Sequence, residues 1–232
     1  METVKSIKTA NHKGPHLGFV ALAFMFLFIT GLSFVISFNE SSPHFPAPWE
    51  TTSTIVKYFQ NQSHRVLMCA FFQFCSAIPL GIFTATVVSR MNFLGSRAAG
   101  NYIALFGGFF TAFSIAISSM LEWVMAYPDI ATNENIIRVL YYMVFIIGGI
   151  GYSVPLGLLF AGISVQSWFM KTLPKWLTIS GIALALCGEL SGLFMIFPKL
   201  LFFIPLTRFI GFIWLIIVGF KLPKIKIANS YE

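Results

Sequence analysis

Three charged side chains in this sequence fall inside long apolar runs, Glu122, Glu189 and Arg208, and Arg138 stands at the edge of a fourth run. A charge at the centre of a membrane helix costs about 2.5–3.5 kcal/mol on insertion scales, so each of these needs a physical reason to be there. Glu122 ends a polar stripe of Thr111, Ser114 and Ser118 whose spacing of three and four places all of them on one helix face. Gln73 and Tyr141 or Tyr142 fall at a comparable depth in neighbouring runs. At about 1.5 Å rise per residue, Glu189 and Arg208 lie roughly 12 and 13 Å below the outer ends of adjacent antiparallel helices, so an ion pair between them is expected. Glu189 also continues the small face Gly181–Ala185, which predicts that it points into a helix contact.

These residues support two chemistries. One is an outward-facing pocket or conduction path for a small or amphipathic solute, with Glu122, Glu189, Arg208, Gln73, Ser118, Arg138 and Tyr142 as candidate ligand-binding residues. The other is a buried Glu189–Arg208 bridge that fixes helix register and does nothing more. No catalytic residue is expected. His12, His16, His44 and His64 all lie outside the apolar runs, which excludes bis-histidine haem, intramembrane zinc proteases and a Ser/His dyad at Gly151-Tyr152-Ser153. No run carries a lysine for a Schiff base, and no nucleotide-binding glycine loop or Mg²⁺-binding acidic cluster is present. Nothing marks Glu122 and Glu189 as a general acid–base pair. Cys69, Cys75 and Cys187 lie in apolar runs without a CxxC spacing and read as small buried hydrophobes. No metal or cofactor is expected.

The elements that hold these residues follow from composition. Of 232 residues, 57% are hydrophobic and 10% charged, against about 25% charged in soluble domains. The apolar residues come in runs long enough to cross the ~30 Å hydrocarbon core of a bilayer. The expected fold is all-α, a single membrane domain of about six transmembrane helices over 17–38, 66–89, 99–127, 136–167, 176–197 and 200–220. The break between the last two rests on Pro198-Lys199 alone. The fourth span is overlong and is expected to tilt or project beyond the lipid. The first follows a basic segment but lacks an A-x-A cleavage site, so it reads as a retained helix.

Ten of the 15 Lys and Arg residues fall in the tail 1–16, the second–third loop, the fourth–fifth loop and the tail 221–232. Four, Lys57, Arg65, Arg138 and Lys199, fall on the other side or its margins. This asymmetry predicts that both termini are cytoplasmic. A net charge of +7 distributed in this way points to anionic lipid as the partner and away from nucleic acid. The outer loop 39–65 carries Pro43, Pro46 and Pro48, then a stretch 51–62 that puts Ile55, Val56 and Phe59 on one face. It reads as a short amphipathic helix on the membrane surface, with Trp49 and Tyr58 at headgroup level, or alternatively as a lid over an outward-facing cavity. Asn39-Glu40-Ser41 and Asn61-Gln62-Ser63 are formal glycosylation sequons.

Two stretches resemble each other, Ser76–Ala85 with Tyr152–Ala161 and Gly100–Gly108 with Gly181–Glu189. They suggest a parallel duplication of helices 2-3 and 4-5. Ala77, Gly81, Ala85 and Ser89 form a small face on the second helix, and Gly149, Ser153, Gly157 and Ala161 one on the fourth. Close backbone approach holds helices together in lipid, so these two helices are expected to pack at the centre. Pro79 and Pro155 are expected to kink them at similar depth and free upstream carbonyls. Pro79, Gly81, Pro155 and Gly157 are therefore the candidate structural residues.

The run from Phe45-Pro46-Ala47-Pro48 through Gln73–Ala85, together with Arg208–Ile216, resembles a family of uncharacterised bacterial multipass membrane proteins. The resemblance implies a bacterial inner membrane and supplies no substrate, cofactor or catalytic residue. Two roles stay open: transport or binding of a small-molecule ligand, or a structural or regulatory subunit that works beside a membrane protein partner.

Overall fold

A computed structural model describes residues 9–36 and 44–227. Lys5, Lys8, the expected helix end at Phe38, the sequon at Asn39 and Pro43 lie outside the described residues. The chain runs through a short strand β1 (Thr9–Asn11), then α1 (Leu17–Val35), α2 (Thr52–Asn61), α3 (Ser63–Leu94), α4 (Ala99–Met125) and a single turn α5 (Pro128–Ala131). It continues through α6 (Glu134–Met170), α7 (Lys175–Ser191), α8 (Phe203–Lys221) and β2 (Ile225–Ile227). Six helices are long and apolar enough to cross a membrane, and half or less of the most apolar stretch of each is buried in the protein. Phe71, Phe106, Phe113, Ile179, Leu186 and Ile213 point outward instead. Outward faces this apolar belong in hydrocarbon, and the chain is an integral membrane protein.

Local signals explain where the helices stop. Gly95 adopts φ +109°, a conformation that favours glycine, and its N–H and that of Ser96 return to Met91 and Asn92 carbonyls to close α3. Asn133 caps α6 by accepting from the Ile136 N–H at 3.2 Å. α7 ends at Ser191, and two 3₁₀ turns, Gly192–Met195 and Pro198–Phe202, reverse the chain into α8. The break at Pro198-Lys199 is therefore real. α6 has 37 residues, a length of roughly 55 Å, well beyond the hydrocarbon thickness.

The six long helices pack in chain order as a ring, α1 on α3, α3 on α4, α4 on α6, α6 on α7 and α7 on α8, which α8 closes against α1. The second and fourth spans, α3 and α6, are not packing partners, contrary to the expectation from their small faces. α4 stands between them because it has two small faces of its own. A Cβ at Gly107 would lie 2.4 Å from the Pro155 carbonyl oxygen of α6, and one at Gly108 would lie 2.2 Å from Thr84 Oγ1 of α3. Gly157 spends its small face on α7, where its Cβ would meet the Ala185 carbonyl at 2.9 Å. On α3 the stripe drifts off the contact: Ala77 is buried, but Ala85 and Ser89 are exposed. Both α3 and α6 remain helical through Pro79 and Pro155. One carbonyl beside the second proline, that of Tyr152, accepts a 3.4 Å bond from Thr111 of α4.

At the end that carries the termini the ring is filled and tied. Phe24, Leu80, Phe83, Leu156, Phe160 and Phe212 belong to one apolar core. β1 pairs antiparallel with β2, Ala10 opposite Lys226, so both ends of the described chain lie on one face of the bundle, as six crossings require. Arg90 is buried there and donates to the carbonyls of Leu222 and Pro15, which joins α3 to the exit of α8 and the entry of α1. His12 contacts Ser89 Oγ at 3.1 Å.

Burial, with Arg90 and Lys224 nearby, holds the His12 imidazole below its usual range. The folded state thus favours the neutral ring. The stability it contributes is full above the ordinary value of about 6.5 and is lost as the pH falls through the lower folded value. Amide exchange at 9–11 and 225–227, corrected for intrinsic rates, should speed up as the pH is lowered from about 7.5 to about 5. His12→Gln should flatten that response, and a variant that keeps the full response would refute the assignment.

Candidate functional site

The glycine face of α4 that seats on α6 changes character toward the opposite end of the bundle. Gly100, Ala104 and Gly107 give way on the same face to Thr111, Ser114, Ser118 and Glu122, all buried. Glycines on α6 make room for these hydroxyls. A Cβ at Gly148 would lie 2.6 Å from Ser118 Oγ, and one at Gly151 would lie 3.4 Å from Ser114 Oγ. Ser118 donates to the Val144 carbonyl at 3.1 Å. One turn further on, the ring opens around a cavity of about 380 Å³ to which every long helix except α7 contributes.

Glu122 reaches this cavity from α4. It is 6% exposed and lies beside the Cys69 thiol of α3. Gln73 lines the same wall and donates to Cys69 Sγ at 3.3 Å. Arg208 enters from α8, which stands across the ring from α4. Its guanidinium lies 4.5 Å from the Tyr152 ring centre and 5.3 Å from that of Phe28, and it donates to the Gly148 carbonyl. Arg208 Nε and the Tyr152 hydroxyl are both closed off from the cavity. Among those residues the only acid–base contact is His44 with Glu50, at 3.4 Å, so Glu122 and Arg208 share a cavity and are not paired.

Four of the seven residues singled out from the sequence, Glu122, Arg208, Gln73 and Ser118, therefore meet in one place. The other three do not line the cavity. Glu189 is exposed on the outer surface of α7 and does not bridge to Arg208. Its depth follows from the true helix end: α7 stops at Ser191, two residues on, whereas the apolar run predicts a helix to Phe197. Arg138 is exposed in the second turn of α6 and donates to Thr52 Oγ1 at the start of α2. Tyr142 faces outward, whereas its neighbour Tyr141 lines the cavity and donates to the Pro46 carbonyl.

α2 covers this end of the bundle. Its apolar face, Ile55, Val56, Tyr58 and Phe59, is buried in a cluster with Met125, Ile137 and Tyr141. Burial pushes the Tyr58 hydroxyl up to about 12. Tyr58 is thus part of a protein contact and not a headgroup anchor, while Trp49 is exposed and meets Phe145 edge-on. Phe45 touches both Tyr58 and Tyr141 and also lines the cavity, which makes the loop before α2 part of its cover.

Tyr152 and Phe28 were not among the residues singled out from the sequence. For Tyr152 the signal was present: Tyr141, Phe145, Gly148 and Tyr152 recur at intervals of four, three and four, one face of α6. Phe28 lies in a helix apolar all round, where periodicity names no face. Comparison of the chain with protein-family models, with curated proteins and with solved structures returned no match.

Proposed function

We propose that this integral membrane protein binds a small or amphipathic solute in the cavity between α1, α3, α4, α6 and α8, and admits it from the face opposite the termini. One observation carries the reading: an acid and a base line a common cavity without pairing to each other. A register-fixing bridge would join its charges, since a buried charge is tolerable only when compensated. Here the two charges line one open space from opposite walls, which is the pattern of a site that awaits a polar partner. The lysine and arginine excess around the termini supports a cytoplasmic position for that face. The likeness to bacterial multipass proteins supports an inner membrane.

α1 provides the test. Leu32 lines the cavity and Ile29, one turn away, is exposed toward lipid. Single cysteines should be placed at each, with Cys69, Cys75 and Cys187 replaced by alanine. A membrane-impermeant cationic thiosulfonate added from the face opposite the termini should modify Leu32→Cys at least about tenfold faster than Ile29→Cys, because only an aqueous path ionises a thiol efficiently. Equal and negligible modification at both sites would mean a dry interior and would overturn the proposal.

A further inference from the structure

The two ends of the cavity differ in chemistry, and resting on the binding function just proposed, we infer that its ligand is a zwitterion with an apolar middle. Of the five guanidinium donors of Arg208, one is used on Gly148, and the head lines the cavity with no acid paired to it among the described residues. The Tyr152 ring, wholly buried on the same side, lies 4.5 Å from the guanidinium. A guanidinium that faces open space with donors to spare is costly unless an acceptor occupies that space. A carboxylate or phosphate oxygen fits that need. Across the cavity Glu122 presents carboxylate oxygens with no basic partner among the described residues, beside the amide of Gln73. An ammonium group fits there.

The pairing of ends also sets specificity. An anion alone would satisfy Arg208 and leave Glu122 uncompensated, and a cation alone would do the reverse. A molecule carrying both charges satisfies both walls at once. Between them the lining is apolar, from Leu32, Ile115, Val144 and Ile204, so the two charges of the ligand are joined by hydrocarbon. A free ω-amino acid has this chemistry, and a phosphatidylethanolamine headgroup carries the same two charges on a much shorter link.

Calorimetric titration of the protein in nanodiscs, with empty discs as reference, can compare 8-aminooctanoate with octanoate, octylammonium and octanol. 8-Aminooctanoate should bind about tenfold or more tighter than any of the other three. Glu122→Gln should erase its advantage over octanoate, and Arg208→Gln its advantage over octylammonium. Mass spectrometry of protein released from mixed phosphatidylethanolamine–phosphatidylglycerol discs tests the lipid source of the same chemistry. Preferential retention of phosphatidylethanolamine, lost in Glu122→Gln, supports the inference even where the soluble series is weak. Should a singly charged or neutral probe bind as tightly as 8-aminooctanoate, with no preference between the lipids, the zwitterion assignment falls while the cavity stands as a binding site. Should no probe bind and no lipid be retained by the wild-type protein, the proposed binding function itself falls.

Discussion

Replacement of Gly107 by leucine should prevent the bundle from assembling, while replacement of Gly81 by alanine should leave it intact. A Cβ at Gly107 would lie 2.4 Å from the carbonyl oxygen of Pro155 and 2.7 Å from the amide nitrogen of Leu159, and both are backbone atoms of α6 that no rotamer change can move. The contact is the tightest kind in a membrane bundle, where packing rather than water expulsion joins the helices. Forcing α4 away from α6 would also part Gly162 from the Gly100 carbonyl two turns along, an approach that a Cβ would narrow to 2.4 Å. The cost should exceed about 4 kcal/mol, enough to abolish a monodisperse, cooperatively melting species. At Gly81 the nearest atom to an added Cβ is a Phe109 ring carbon at 3.8 Å, an ordinary contact. Alanine there should hold or raise the melting temperature, since it is the better helix former by about 1 kcal/mol. Gly157, which stands at the matching position of the internal resemblance, should behave like Gly107 because its Cβ would meet the Ala185 carbonyl at 2.9 Å. Size-exclusion profiles and thermal melts in one detergent would rank the three, and a Gly81→Ala protein as damaged as Gly107→Leu would contradict the ring order.

That contrast shows what could be read from the residues alone. The number of crossings, the shared face of the termini and the break at Pro198 followed from apolar run length, because hydrocarbon thickness is a hard ruler. The polar face from Thr111 to Glu122 was legible for the same kind of reason, a period of 3.6 that survives folding. Partner choice was not. Gly81 and Gly157 look alike in sequence, yet one faces a phenylalanine ring and the other a helix backbone. A small face says that something can come close and leaves unsaid which helix does. The misplacement of Glu189 had a different origin. Apolar residues continue past Ser191 into Phe194, Met195 and Phe197, so hydropathy does not register the change from α-helix to 3₁₀ turn that brings Glu189 to the end of its helix. Tyr58 reads as a headgroup anchor from sequence because an amphipathic helix offers the same face to a membrane surface and to another protein element.

Glu122→Gln is expected to make the protein more stable and less able to bind, and this combination separates a working charge from a structural one. A carboxylate that served the fold would be compensated, and its loss would leave a partner unpaired at a cost of about 3–5 kcal/mol. Glu122 has no such partner among the described residues: it is buried beside the Cys69 thiol, and Arg208 stands on the other side of the cavity. Glutamine keeps the shape and a hydrogen-bonding end while it removes the charge, so about 1 kcal/mol or more of desolvation cost should be relieved, which raises the melting temperature by a few degrees. Arg208→Met should be nearer neutral in stability, because the guanidinium offsets part of its burial through the Tyr152 and Phe28 rings and the Gly148 carbonyl. Both variants should lose about tenfold or more in affinity for a ligand that the wild type binds. The decisive comparison is the sign of the two effects in one sample: a protein destabilised by Glu122→Gln holds its acid for architecture, and one stabilised by it has kept an expensive group in the membrane for something outside its own fold.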